Sequence, residues 1–342
     1  MISDSKAKHV LLIIFPFYEY HTHITKELKK LGYHVDILLN QSSFTFSPNK
    51  VLFIFKYLLR KVPKENVSEY IDKRYDIVFA VGGYTFSRKF INKLKNKNCN
   101  LRTIIFFWDS FRYWNNSYVL AWFDEKYSFD VLDCIRYKKK GLLHLPNFYL
   151  GEEFDNTSRN IVKYDICFIG ALHIFSINRL VVLERFVRLA KDNALNFFVF
   201  LYYNRSNMFL KELVHCITNF KYFLLFLNLF FYRNRKYISS EKLSLNKVKE
   251  IESCSACIID IPVKRQTGTT IRVLEALAAG EKVITTNRYI KNEKFYDPRS
   301  VLILKDKKDK KDKDIINFIN SEKIKNDISY LKIENWLKAL LG

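Results

Sequence analysis

Glycine and proline are scarce in this chain, 9 and 6 among 342 residues. Loop punctuation is sparse, and aromatic residues are abundant instead, with 30 Phe and 21 Tyr. Hydrophobic residues make up 49%, which excludes a disordered chain and leaves a globular one. The length suits two domains of ordinary size, each able to bury its own core. Acidic residues are also short, 35 Asp and Glu against 57 Lys and Arg, for a net charge of +22. A surplus of that size favours an anionic partner: nucleic acid, a phospholipid surface or a phosphorylated substrate. The lysines are dispersed instead of forming one stripe, and solvated charge spread over the whole surface is the alternative.

Other absences exclude more. Cys254 and Cys257 form a lone C-x-x-C with no second ligand pair at suitable spacing, which excludes a structural zinc there. Of Cys99, Cys134, Cys167, Cys216, Cys254 and Cys257, most sit in apolar, strand-like settings, as reduced thiols of a cytosolic protein do. Asp312-Lys313-Asp314 matches a metal-binding Asp-x-Asp only superficially. It lies in the low-complexity run KDKKDKKDKD (305–314), read as a solvated loop, so no metal is expected. No segment offers the ~20 apolar residues of a membrane-spanning helix. MISDSKAKHVLLIIF begins polar, with too short an apolar run for a signal peptide, and a cytoplasmic location is expected. Helix-turn-helix, zinc-finger and RNP-like patterns are missing too. The aromatics lie mainly in apolar strand-like runs, where core packing explains them. A basic nucleic-acid-binding protein therefore stands only as a rival reading.

What is present alternates between strand and helix. HVLLIIF (9–15) is a continuous apolar run, as in a parallel strand covered on both faces. HITKELKKLGY (23–33) has helical spacing through Ile24, Leu28 and Leu31 and stops at Gly32. VDILLN (35–40) completes a βαβ unit. YDIVFAVGGY (75–84) and LRTIIFFWDS (101–110) read as further strands, with Asp109 at the end of the second. FDVLDCI (129–135) and GLLHLPNFY (141–149) read as short strands and turns near a domain edge. The polar stretch 151–163 marks a linker. Beyond it come strands at 164–172, 196–203, 256–262 and 282–287, with a helix over 177–191 and another before 282. Two α/β halves of similar size predict paired Rossmann-like domains. The expected division is 1–150, 164–325 and a C-terminal helix over 326–342. FKYFLLFLNLFFYRNRK (220–236) is too short to span a bilayer. It fits either an interfacial segment with Arg233, Arg235 and Lys236 at the headgroups, or a buried helix with a charged end.

QTGTTIRVLEALAAGEKVITTN (266–287) carries the most chemistry. It follows a strand ending at Asp260 and Ile261, at the edge where open parallel sheets collect ligands. Gly268 allows close backbone approach, and Thr269 or Thr270 can cap the next helix. The helix start, with Lys264 and Arg265 beside it, favours phosphate. Glu275, in the second turn, can accept hydrogen bonds from two adjacent ribose hydroxyls. The alternative is an exposed Arg272–Glu275 pair at i, i+3.

This stretch, with FYDP (295–298), resembles the donor-binding region of GT-B glycosyltransferases, and most closely the bacterial lipopolysaccharide and capsule biosynthesis type. The likeness extends more weakly to YSFDVLDCIRYKKKGLLHLPNFY (127–149) and to SYLKIENWLKALLG (329–342); the first 120 residues match in architecture alone. The resemblance implies an α/β protein with two Rossmann-like domains facing a cleft, nucleotide-sugar on the second and acceptor on the first. Glu275 matches the later Glu of the family's Glu-x7-Glu motif, while the earlier one is absent, Thr267 standing in its place. The resemblance further implies that basic groups and helix dipoles stabilise the leaving diphosphate without a metal or cofactor. Gly170 to His173 are expected in a turn facing the donor, with His173 in reach of it or merely solvated. Asp109, His21 and Glu19, with His23, are the candidates for an acceptor base, although Asp109 could equally cap the segment after it. A lipid-linked glycan acceptor and peripheral contact with an anionic inner-membrane surface complete the expectation. A GT-B-like protein that binds nucleotide without turnover is the other alternative.

Overall fold

The structure is a computed structural model that describes residues 7–39, 67–82, 86–113, 115–151, 162–172, 178–203, 235–263, 265–304 and 312–342. It divides into two compact units, and neither is continuous in sequence. Unit 1 comprises Met1–Leu150, Arg265–Thr269 and Ser329–Gly342; unit 2 comprises Gly151–Lys264 and Thr270–Ile328.

The first part of unit 1 runs β1 (His9–Ile14), α1 (Tyr20–Lys30), β2 (His34–Leu39), β3 (Ile77–Val81), α2 (Arg88–Lys97), β4 (Arg102–Phe107), β5 (Glu125–Ser128), α3 (Val131–Arg136) and β6 (Leu142–His144). Its strands form one parallel sheet in the order β2-β1-β3-β4-β5-β6. β3 is buried throughout, and β1 and β4 are buried after their first residue. That explains their unbroken apolar runs, because a parallel sheet is covered on both faces. α1 ends where Gly32 adopts φ +87°, a left-handed conformation that favours glycine.

Over 129–135 the structure differs from the expected strand: Val131–Arg136 is helical. Asp130 caps it by accepting from the Asp133 N–H at 3.1 Å, a local bond that outweighs the β propensity of its apolar residues. The less apolar EKYS segment supplies the neighbouring strand instead.

Unit 2 runs β7 (Tyr164–Ala171), α4 (Asn178–Asp192), β8 (Phe197–Tyr202), β9 (Ile238–Ser239), α5 (Leu245–Ser253), β10 (Ser255–Asp260), α6 (Ile271–Ala278), β11 (Lys282–Thr285), β12 (Val301–Ile303) and α7 (Asp312–Asn320). Its parallel sheet has the order β12-β11-β10-β7-β8-β9. Counted from β7, that is the 3-2-1-4-5-6 order of a doubly wound Rossmann sheet, and the order reverses between β7 and β10. The ammonium of buried Lys282 donates to the carbonyls of Phe318 (2.9 Å), Ile319 (2.5 Å) and Ser321, closing the end of α7. Most of 220–236 and of 305–314 lies outside the described residues.

The C-terminal helix α8 (Ile333–Leu341) belongs to unit 1. Arg102 chelates Glu125 at 2.6 and 3.0 Å and also donates to the carbonyls of Leu341 (2.5 Å) and Leu340 (3.1 Å). One guanidinium thus closes the helix end and ties it to β4 and β5. Among the described residues no helix is long and apolar enough to cross a membrane. All the described cysteines are free, and burial pushes the Cys257 thiol up to about 12, as expected of a core thiol.

Candidate functional site

In unit 2 the crevice-forming position is the carboxyl end of β7 and β10, where the strand order reverses. β10 ends at Asp260, a buried carboxylate that accepts from Thr270 Oγ1 (3.1 Å) and Thr285 Oγ1 (2.8 Å). Burial raises its pKa against the pull of those bonds. Thr270 also caps α6, accepting from the Val273 N–H at 3.4 Å, so of the two expected capping threonines it is the one used. Held by β10 through Asp260, α6 starts at the ligand edge of the sheet. On its second turn Glu275 is 7% exposed, which removes the alternative of an ion pair on an exposed face. Arg272 pairs instead with the buried Glu252 of α5 at 2.7 Å.

Arg179, in the first turn of α4, was not singled out from the sequence. It donates to the carbonyls of Ala171 (2.5 Å), the last residue of β7, and Ile261 (2.7 Å), just past β10, the two strands flanking the reversal. A guanidinium therefore stands where the dipole of α6 also favours negative charge. Gly170 lies inside β7, paired with Leu201, and not in a turn beyond it. A Cβ there would meet the Phe168 ring at 2.8 Å and Arg179 Nη1 at 3.4 Å, so its bareness serves internal packing. His173 and Lys264 lie outside the described residues.

Residues 265–269 belong to unit 1, where they form a dense polar cluster. Gln266 donates to Asp109 at 3.0 Å. Thr267 donates its N–H and hydroxyl to Asp130 at 2.7 and 2.6 Å. Arg112 Nη2 is 3.2 Å from Thr267 Oγ1 and 3.5 Å from both Asp130 oxygens. Asn147 donates to the Thr269 carbonyl at 2.9 Å, and Arg265, exposed, reaches the Arg112 carbonyl at 3.5 Å. A Cβ on Gly268 would fall 2.3 Å from the Phe129 ring and 2.5 Å from its carbonyl. The open backbone cradle expected at Gly268 and Thr269 is thus corrected. Both are buried, the glycine admits Phe129 rather than a ligand, and the neighbouring amide is given to an internal carboxylate. Asp133, 1% exposed, accepts from the Phe111 N–H at 2.5 Å. Burial, then the Asp130 charge, pushes it up to about 6. Nothing in the sequence marked Asp130, Asp133 or Arg112 individually. The signal was the resemblance of SFD and LPNFY to the same family as QTGTT, and the three motifs meet here.

The candidate bases lie at the start of α1 and in the loop after β4, at the carboxyl end of the unit 1 sheet. Glu19 is exposed, stands at the N-terminal boundary of α1 with φ 62°, and makes no capping bond. Its neighbour Tyr18 also has positive φ, at 42°, so two adjacent non-glycine residues store backbone strain, as functional loops do. His21 Nδ1 is buried without a hydrogen bond, and His23 lies in the same helical turn. Asp109 follows β4. The two segments touch through Trp108, whose ring lies 6.2 Å from Phe17 and 6.5 Å from Tyr20.

Glu293, beside FYDP in unit 2, is 8% exposed, and burial pushes its carboxyl from 4.5 up to about 7. The folded state then holds more protons than the unfolded state between those values, so stability falls as pH rises through that window. Thermal melts from pH 4.5 to 8 should show this fall in the wild type, by roughly 2–3 kcal/mol. Glu293→Gln, neutral throughout, should lack that component; parallel profiles for the two proteins would refute it.

No protein-family model matches the chain, and no curated protein does. Solved structures do. The N-terminal domain of trehalose-6-phosphate phosphatase from Candida albicans is similar at 11% identity and a TM-score of 0.54, over 98% of this chain and 96% of that one. A UDP-forming α,α-trehalose-phosphate synthase from Burkholderia vietnamiensis is similar at 9% identity and a TM-score of 0.53, with the same coverages. An apo form of OtsA is similar at 11% identity and a TM-score of 0.56, over 98% of both chains. At such identities the likeness is one of fold: an α/β protein of two Rossmann-like units, the GT-B class.

Proposed function

We propose that this chain is a glycosyltransferase that moves a sugar from a nucleotide-sugar donor to a lipid-linked surface glycan, as in lipopolysaccharide or capsule biosynthesis. The observation that carries the reading is Glu275. It is a buried carboxylate in the second turn of a capped helix that starts at the strand-order reversal of a Rossmann sheet. Two carboxylate oxygens there suit the paired hydroxyls of a ribose. Arg179 and the amino end of α6 supply positive potential for the diphosphate.

In the reaction the acceptor oxygen attacks the sugar's anomeric carbon while the bond to the diphosphate breaks. The leaving electron pair stays on the diphosphate oxygen, and fixed dipoles and cations lower the cost of that charge. No metal is assigned to this step, because side chains and helix dipole can supply the compensation. In an inverting course the acceptor's proton passes to a unit 1 base. His21 is favoured by bonding, since its Nδ1 carries no hydrogen bond whereas Asp109 already accepts from Gln266. The net charge of +22 and the basic end of 220–236 support contact with anionic lipid, worth about 1 kcal/mol for each well-placed Lys or Arg.

The test is thermal shift with UDP, GDP, CMP and dTDP on the wild type and on Glu275→Gln, a substitution that preserves side-chain volume. One nucleotide at a hundred times its Kd should stabilise the wild type by about 2.7 kcal/mol, a rise of several degrees. Most of that rise should vanish in the variant. Absence of a shift with every nucleotide would falsify the donor site.

A further inference from the structure

We propose that the amino ends of β1 and β2 form a binding site for a divalent transition metal of the Zn2+ type, with His9, His34 and Asp36 as ligands. The parallel register sets His9 beside His34 and Leu11 beside Asp36. His34 and Asp36, two apart on one strand, project from the same face. The three potential ligand atoms lie within 4.8 Å of one another. His9 Nε2 is 3.3 Å from Asp36 Oδ2, close to the ~3.4 Å that separates two ligands of a tetrahedral zinc with bonds near 2.1 Å. That nitrogen is buried and makes no hydrogen bond. The two imidazole rings are 4.5 Å apart and tilted by 58°.

The surroundings suit a cation. Tyr75 donates its hydroxyl to Asp36 Oδ2 at 2.8 Å, as partners that orient a metal-binding carboxylate do. Lys73 Nζ is 3.0 Å from the same oxygen, and its side chain is 41% exposed. It can move to water, or to Glu69 at 3.8 Å, when a divalent ion takes its place. Two imidazoles and a carboxylate are the donor set that zinc accepts, with water completing the tetrahedron. β2 is the edge strand of its sheet. An ion shared by His9 and His34 would fasten it to β1, in addition to their ladder bonds. The site is independent of the proposed transfer chemistry. It lies at the opposite end of β1 from the candidate acceptor loops, roughly 17 Å along the strand.

The experiment is a zinc titration of tag-free, chelator-stripped protein against a chromophoric competitor, repeated with His34→Ala. His34 is exposed, so its removal should leave the metal-free melting curve unchanged. The expected result is one equivalent bound by the wild type, at least about tenfold weaker in the variant. Zinc should also raise the melting temperature of the wild type alone. Cobalt should give a visible spectrum without thiolate charge-transfer absorption. No binding, equal binding by both proteins, or a thiolate band pointing to the cysteines would each overturn the site. Should His34→Ala fail to fold, His34→Gln takes its place under the same outcomes.

Discussion

Trp336→Ala should destabilise unit 1 by about 3–5 kcal/mol, the range for removing a buried aromatic ring. Trp336 is fully buried in α8, with ring centroids at 4.7 Å from Phe148, 4.8 Å from Phe106 and 6.2 Å from Phe79. Its indole N–H donates to the Pro146 carbonyl at 3.0 Å. Truncation leaves a cavity walled by β3, β4 and the LPNFY segment, none of which can collapse without disturbing a parallel sheet buried on both sides. Trp336→Phe keeps most of the packing and loses the hydrogen bond, so about 1 kcal/mol is expected. Urea denaturation followed by intrinsic fluorescence and by far-ultraviolet dichroism measures both. If the alanine variant costs no more than the phenylalanine one, α8 is only loosely docked and this account of it fails.

Asp130→Asn should release residues 265–269, at a cost of about 3 kcal/mol, since hydrogen bonds to a charged group contribute roughly 1.5–3 kcal/mol each. Asp130 is completely buried and accepts from Thr267 twice and from Asp133 once, with Arg112 as its counter-charge. An amide can reproduce only part of that pattern, because half of it becomes a donor facing donors. Arg265 is exposed beside this segment, so trypsin reports the release. Cleavage after Arg265 should accelerate at least tenfold, and Asp133 should become more acidic once the neighbouring charge is gone. Unchanged cleavage, with unchanged stability, would mean that Asp130 does not hold the segment.

Much of the fold was legible, for a simple physical reason. Parallel strands buried on both faces must be apolar throughout, so β1, β3, β4, β7 and β10 stand out as unbroken runs. α6 was legible through Thr270 and its apolar spacing. EKYS and Val131–Arg136 were not. The first carries charge at a partly exposed position beyond β4, and the second is helical because of one capping carboxylate. In the candidate site, Glu275 could be placed on its helix but its burial could not be foreseen. The sequence reads Gly268 as room for a ligand and Gly170 as part of a donor-facing turn, whereas each makes room for a side chain of the protein itself, Phe129 and Phe168. A glycine tells that something comes close; it does not tell what. Arg179 escaped notice because its partners are carbonyls from two strands far apart in sequence, and carbonyls leave no trace in a motif.

The discontinuity of unit 1 bears on how the protein is made. A ribosome delivers the first 150 residues early, yet β3 and β4 must wait for Trp336 to emerge before their exposed aromatic surface is covered. Arg102 and Glu125 likewise wait for the carbonyls of Leu340 and Leu341. Chains usually complete domains in the order of synthesis; here the unit begun first is the one finished last. Until then Phe79, Phe106 and Phe148 lack the indole ring that packs against all three in the folded unit.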